Sequence, residues 1–298
     1  MKIFKIVLSC FLTLSCLSFT VIKEDSKIDF KHNKTNNKVD VLINGKFFTS
    51  YIYPDNLEKQ VLYPIFTASG QEITRGFPIN PRPFERTDHP HHIGLWFNFG
   101  DVNGLDFWNN SYSIKLEDKH KYGTIKFKEI VKTDPSNGEL QTLADWVDVN
   151  GNILLEELTT YIFSESNGIR YIERITELTA KQKNVVFTEN KEGLIAIRVD
   201  RAFEEPSLTS QSFIDSNGNV TDTPILNNEG VNGVYRNADG ITGGDVWSKR
   251  SKWVALRAVK NDEPITIIII DHVNNPNYPA WSHARGYGLF ATNNLAGK

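Results

Sequence analysis

Turn-forming clusters break this sequence into short segments at intervals of about 10–15 residues, and few of those segments hold a helical period over three turns. Asp134-Pro-Ser-Asn-Gly138, Asn150-Gly151, Asn167-Gly168 and Ser216-Asn-Gly-Asn219 punctuate runs of alternating polarity. In Tyr122 to Lys132, Ile125 and Phe127 are set against Lys126 and Lys128. Similar runs follow to Val149, from Ile153 to Phe163 and from Ile169 to Leu178. A period of two with Asn-Gly between the runs marks antiparallel hairpins, because both residues tolerate the positive φ that tight hairpin turns require. The chain therefore reads as all-β, a sandwich or barrel. Thr209 to Gly244 is polar and aperiodic and reads as a long functional loop. Pro264 to Ile270 is apolar except for Thr266 and reads as a strand buried on both faces.

With 298 residues, 40% hydrophobic and 23% charged, the chain can bury a core without cross-links. Its 2 cysteines lie at Cys10 and Cys16, inside a basic start (Lys2, Lys5) followed by an apolar stretch to Ile22. That pattern reads as a signal peptide over residues 1–18, with residues 19–298 as one exported domain, most simply periplasmic. A lipid anchor through Cys16 is the alternative. Cleavage removes both thiols and so excludes thiolate nucleophiles and thiolate metal sites. It leaves 31 basic against 36 acidic residues, a net charge of −5. With no basic block longer than two residues, nucleic acid is not an expected partner. Nothing after Ile22 approaches the ~20 apolar residues of a membrane span.

The chemistry concentrates in Arg82-Pro-Phe-Glu-Arg86-Thr-Asp88-His89-Pro-His91-His92, where three of the 7 histidines fall within four positions. If the following strand, Ile93 to Phe99, extends backwards, His89 and His91 share a face and His92 takes the other. A His-x-His pair on a strand suits a divalent metal or acid–base work equally. Asp106, Phe107 and Trp108 follow on a loop, and Trp96 precedes them. Glu192 and Arg198 flank a strand at even spacing, so Glu192 is the expected partner of a buried Arg198. Asp271-His272 ends the apolar run. After Trp281, His283, Arg285 and Tyr287 recur at two-residue spacing, pointing one way if extended.

Thr87-Asp-His-Pro-His-His92, Gly94-Leu-Trp96, Gly100-Asp-Val-Asn-Gly104, Asp106-Phe-Trp108, Lys191-Glu-Gly193 and the segment from Trp281 to Phe290 together resemble the PmoA-like bacterial family. Members carry a "methane oxygenase" label and are largely of unknown function. The particulate enzyme that label evokes is membrane-embedded, which sits poorly with a chain lacking a span. The resemblance implies a large antiparallel β-sandwich related to the galactose-mutarotase-like supersandwich. It also implies a place in polysaccharide degradation, since a dehydratase acting on uronate-terminated oligosaccharides is known in the group.

On that implication the substrate is an acidic oligosaccharide and the reaction a loss of water across C4 and C5 of the terminal uronate. His92 or His283 would be the base, and Tyr287 or His89 the acid. Arg86, Arg198 or Arg285 would neutralise the carboxylate, with His91, Trp96, Asp106, Trp108, Glu192, His272 and Trp281 binding substrate. No organic cofactor is expected, and a divalent metal on His89 and His91 stays open. A mutarotase or epimerase would use a histidine with Glu192. A sugar-binding module would need only Trp96, Trp108 and Trp281, and a glycosidase a carboxylate pair among Asp88, Asp106, Glu192 and Asp271.

Overall fold

A computed structural model describes residues 26–223 and 227–296. The segment read as a signal peptide, with Cys10 and Cys16, lies outside the described residues. The architecture is an all-β antiparallel sandwich. Strands β1 (Ile28–Asn33), β2 (Lys38–Ile43), β3 (Lys46–Ile52), β4 (Val61–Ile65) and β5 (Leu95–Phe99) begin the largest sheet. The chain then forms a four-stranded meander of β6 (Thr124–Asp134), β7 (Glu139–Val147), β8 (Ile153–Ser166) and β9 (Ile169–Ala180). It returns through β10 (Gly193–Arg198), a hairpin of β11 (Gln211–Ile214) and β12 (Val220–Thr223), and a sheet of β13 (Val234–Asn237), β14 (Trp253–Lys260) and β15 (Glu263–Ile270). Finally β16 (Trp281–Arg285) and β17 (Leu289–Asn293) complete an eight-stranded sheet ordered β1-β2-β3-β4-β5-β10-β17-β16.

The hairpin signals act as expected. Asn167 and Gly168 take φ of 53° and 75° between β8 and β9, as a two-residue turn with both central residues left-handed requires. One face of the large sheet packs on the meander, with Phe48 against Phe163, Tyr51 against Phe127 and Tyr161, and Phe97 against Trp146. The same core runs on to Tyr235, Val254 and Leu256 of the three-stranded sheet.

Two expectations change. Thr209 to Gly244 carries strands β11 to β13. The β11–β12 hairpin braces the histidine segment through Phe84 N–H to Ile214 O (2.6 Å), Ile214 N–H to Glu85 O (2.9 Å) and Thr87 N–H to Ser212 O (3.1 Å). The aperiodic polarity reflects short strands, which leave too few alternations to read. The run ending at Ile270 is covered on one face only. Ile265 is buried, while Ile268 and Ile270 are 52% and 72% exposed, because β15 is the edge of a small sheet with a single packed face.

Register decides what the other face of the large sheet presents. Ala196 lies opposite Trp96 on one side and Ala291 on the other, and Ala291 lies opposite His283. Arg198 pairs with Leu289, which pairs with Arg285. Directly paired residues share a face, so Trp96, Arg198, His283 and Arg285, from β5, β10 and β16, stand on one surface. The alanines between them leave room for the loops that close over it.

Candidate functional site

The histidine segment is a turn, not a backward extension of β5. His92 N–H donates to His89 O at 2.9 Å, with Pro90 at the second position, where its fixed φ suits the turn. His89 takes φ of 46°. The three rings therefore converge instead of splitting between two faces, with centroids 5.6 Å apart for His89–His91, 4.3 Å for His91–His92 and 4.8 Å for His89–His92. Gly94 then redirects the chain into β5. Its φ is 55°, and a Cβ there would stand 2.3 Å from Leu62 O.

Two buried cations hold the turn. Arg75, 1% exposed at its side chain, donates to the carbonyls of Arg86 (3.2 Å), Asp88 (2.8 Å), His89 (2.9 Å) and His92 (2.9 Å) and to the Asp88 carboxylate (2.9 Å). Lys59 donates to His91 O at 2.7 Å beside the Trp96 ring, and burial lowers its amine to about 8. Sequence reading missed both. Each is a lone basic residue in an unremarkable segment, and only its burial under the turn gives it a role.

Asp88 is the electrostatic centre. Its carboxylate accepts from Arg75, from Arg198 Nη2 at 2.6 Å and from His89 Nδ1 at 2.8 Å. Burial opposes the charge, but Arg198, the His89 hydrogen bond and Arg75 outweigh it and hold the carboxyl well below the usual carboxylate range. An ionised Asp88 can only accept, so Nδ1 of His89 carries the proton and Nε2 keeps its lone pair. His92 is wired in the opposite sense. Its Nδ1 lies 3.3 Å from Arg198 Nη1, and a guanidinium only donates, so the proton sits on Nε2, which has no partner among the described residues. Burial, then His91 and Arg198, keep His92 neutral, well below its ordinary value. Burial likewise lowers His91 to about 2 and His283 to about 4.

These groups wall a cavity of about 160 Å³. His89, His91 and His92 form one side, with His89 stacked on Tyr287 at 4.9 Å and 5°. Trp108, Asn109, Lys191, Glu192, His283 and Arg285 line the rest, with Trp108 between His92 (5.7 Å) and His283 (6.1 Å). The structure thus brings together His89, His91, His92, Trp108, Glu192, His283, Arg285 and Tyr287 from four separate stretches of sequence. Burial raises the Glu192 carboxyl and the Tyr287 phenol above their ordinary values. Glu192 Oε2 is 3.6 Å from His283 Nδ1, beyond hydrogen-bonding reach. Arg285 has no carboxylate partner among the described residues, and its guanidinium rests 4.8 Å over the Trp247 ring.

Other expected site residues serve the scaffold. Arg86 is buried on Glu204 (2.6 Å) and against Phe213. Arg198 is fully buried and pairs with Asp88, not Glu192, because Glu192 precedes β10 and turns toward Lys191 and His283. Asp106 accepts from Trp108 N–H (2.8 Å), Asn109 N–H (2.9 Å) and Asn109 Nδ2 (2.7 Å), so it shapes the loop without lining the cavity. Trp96 lies buried behind His92, 5.2 Å centroid to centroid. Trp281 packs under Arg250, and His272 is exposed in the loop after β15; neither lines the cavity. Asn109 and Lys191 do line it: Asn109 carried no signal of its own, and Lys191 stood in the Lys191-Glu-Gly193 motif without a site role. His89 and His91 find no third donor, since no group of three or more His, Cys, Asp or Glu among the described residues is arranged to hold a metal ion.

The profile of a family described as "Family of unknown function (DUF6807)" matches residues 38–298. The chain belongs to this DUF6807 family. The match covers every residue that walls the cavity and every strand of the large sheet except β1. No curated protein and no solved structure matches the chain. No helix among the described residues is long and apolar enough to cross a membrane.

Proposed function

We propose that this DUF6807 protein is a carbohydrate-active hydro-lyase that removes water from the non-reducing-end uronic acid of acidic oligosaccharides, leaving an unsaturated uronate. One observation carries the reading: a carboxylate-oriented imidazole, Asp88–His89, shares a small cavity with Arg285, an arginine that pairs with no carboxylate among the described residues. Elimination next to a carboxylate needs that pairing. Arg285 receives the substrate carboxylate and so stabilises charge developing at C5. His89, expected from the sequence as an acid, serves as the base in place of His92, whose Nε2 carries its proton: His89 Nε2 takes the C5 proton, and Asp88 steadies the imidazolium that results. His92 Nε2–H, locked as a donor by Arg198, offers a further hydrogen bond to the carboxylate oxygen. Tyr287, kept protonated, delivers a proton to the departing C4 hydroxyl. At about 160 Å³ the cavity is well under the ~300–1,000 Å³ of drug-sized sites, which suits one terminal ring rather than the interior of a chain. The resemblance noted in the sequence points the same way.

Glu192 and His283, 3.6 Å apart, supply a second proton-active pair in the same cavity, which favours a mutarotase- or epimerase-like reaction as the alternative. One assay separates the two. Uronate-terminated oligosaccharides are incubated with the protein, and ultraviolet absorbance and product mass are followed together. Rising absorbance with loss of one water supports the hydro-lyase; an isomeric product of unchanged mass sinks it. Arg285→Gln is expected to raise KM for the acidic substrate at least ~10-fold with an unchanged melting temperature, as Arg285 makes no ion pair among the described residues.

A further inference from the structure

The cavity's acid and base stand on one wall, and that constrains the configuration of the sugar. The His89 and Tyr287 rings are stacked 4.9 Å apart and within 5° of parallel. Two parallel rings side by side reach a bound pyranose from the same direction. Both are held there independently of substrate. His89 is fixed through Nδ1 on Asp88 and by its stack on His92 at 4.8 Å. Tyr287 lies under the Arg198 guanidinium, 4.9 Å from its ring centroid, and Arg198 is itself tied to Asp88. Arg198 and Asp88 thus set the separation of the two proton-transfer groups, and neither can swing to the far side of a ring without breaking its contact, His89 with Asp88 and Tyr287 with Arg198.

Resting on the dehydratase reading, we propose that elimination here is syn and selects terminal uronates in which H5 and O4 lie on the same face of the ring. D-gluco and D-manno uronates have that relation. Their C5 epimers, L-ido and L-gulo uronates, and D-galacto uronate have H5 and O4 on opposite faces. The step balances without a co-reactant. The C5–H bond breaks, its proton goes to His89 Nε2, and its electron pair becomes the C4–C5 double bond. The C4–O bond breaks, the oxygen takes the Tyr287 proton, and water leaves. The tyrosinate recovers a proton from the adjacent His89 imidazolium, which restores both groups. A substrate with H5 and O4 on opposite faces can offer the wall only one of them at a time. A misplaced reacting group costs on the order of 10²-fold in rate.

The test compares oligosaccharides that differ only in the non-reducing-end residue: D-glucuronate, L-iduronate and D-galacturonate, each with a free 4-hydroxyl. Formation of unsaturated product is followed with the full-length protein. The expected result is kcat/KM for the glucuronate terminus at least ~100-fold above the other two. Comparable or faster elimination from iduronate or galacturonate overturns the single-face geometry while leaving the dehydratase reading intact. No unsaturated product from any terminus overturns that reading and this inference with it. A second arm isolates the acid: Tyr287→Phe in heavy water. Incorporation of deuterium at C5 of the glucuronate terminus, with elimination lost, places proton removal and C–O cleavage on the two stacked residues. Unimpaired elimination by that variant overturns the assignment.

Discussion

Replacing Asp88 by Asn tests both the scaffold and the chemistry of the site. The carboxylate is largely enclosed and serves three donors at once, Arg75 at 2.9 Å, Arg198 at 2.6 Å and His89 Nδ1 at 2.8 Å. Asparagine preserves shape and one acceptor oxygen but removes the charge that offsets two guanidinium groups exposed by only 1% and 0%. Stripping one partner from a buried ion pair costs about 3–5 kcal/mol, and the surviving acceptor places this variant near the lower end. At ~2–4 °C per kcal/mol for a domain of this size, the melting temperature should fall by about 6–12 °C. The amide also reverses the bond to His89. Where its NH2 faces Nδ1, the proton must move to Nε2 and the base is lost, so turnover should fall by ~10²–10⁴-fold. Differential scanning calorimetry and the unsaturated-product assay read the two effects separately. Acid titration adds a third. The folded carboxyl lies below its unfolded value of ~3.9, so its stabilisation is present above about pH 4 and drains away as pH falls further. The variant should lose less stability than the parent below pH 4. An unchanged melting temperature would refute the clasp, and a destabilised but fully active variant would refute the role given to His89.

Two further outcomes follow from the same geometry. His283, lowered to about 4 by burial, is neutral when folded at pH values where an unfolded histidine, near 6.5, already protonates; stability should fall from about pH 6.5 toward 4, by about 3 kcal/mol for this group. Urea midpoints across that range should decline less steeply in His283→Gln. Gly94→Ala puts a Cβ 2.3 Å from Leu62 O at a left-handed φ, so urea denaturation should show a loss of at least ~2 kcal/mol, with turnover falling as the histidine turn shifts.

How much of the site could be read from the sequence depended on how local its causes are. Converging imidazoles were foreseeable in kind from Asp88-His-Pro-His-His92. Their arrangement was not, because Pro90 turns the chain where a strand had been extrapolated. The two-residue spacing of His283, Arg285 and Tyr287 did place all three at the cavity, since β16 and its turn preserve the alternation. Glu192 and Arg198 show the opposite case. Even spacing suggested partners, yet the first lies outside β10 and the second found a carboxylate 110 residues away. Trp96 and Trp281 carried the right chemistry for sugar platforms and lie outside the cavity, one beneath it and one beyond its edge.

The sequence alone determined the strand-and-turn grammar, because alternation and Asn-Gly turns act over a few residues and need no distant partner. It also determined which chemical groups were on offer: histidines, arginines, a tyrosine and carboxylates. Only the tertiary structure decided which of them meet. The order β5-β10-β17-β16 and its register set Arg198, His283 and Arg285 on one surface, and two buried arginines and a lysine then fixed the protonation and aim of the histidine turn. Those contacts join residues far apart in the chain, and their strength comes from burial, which no stretch of sequence reports by itself.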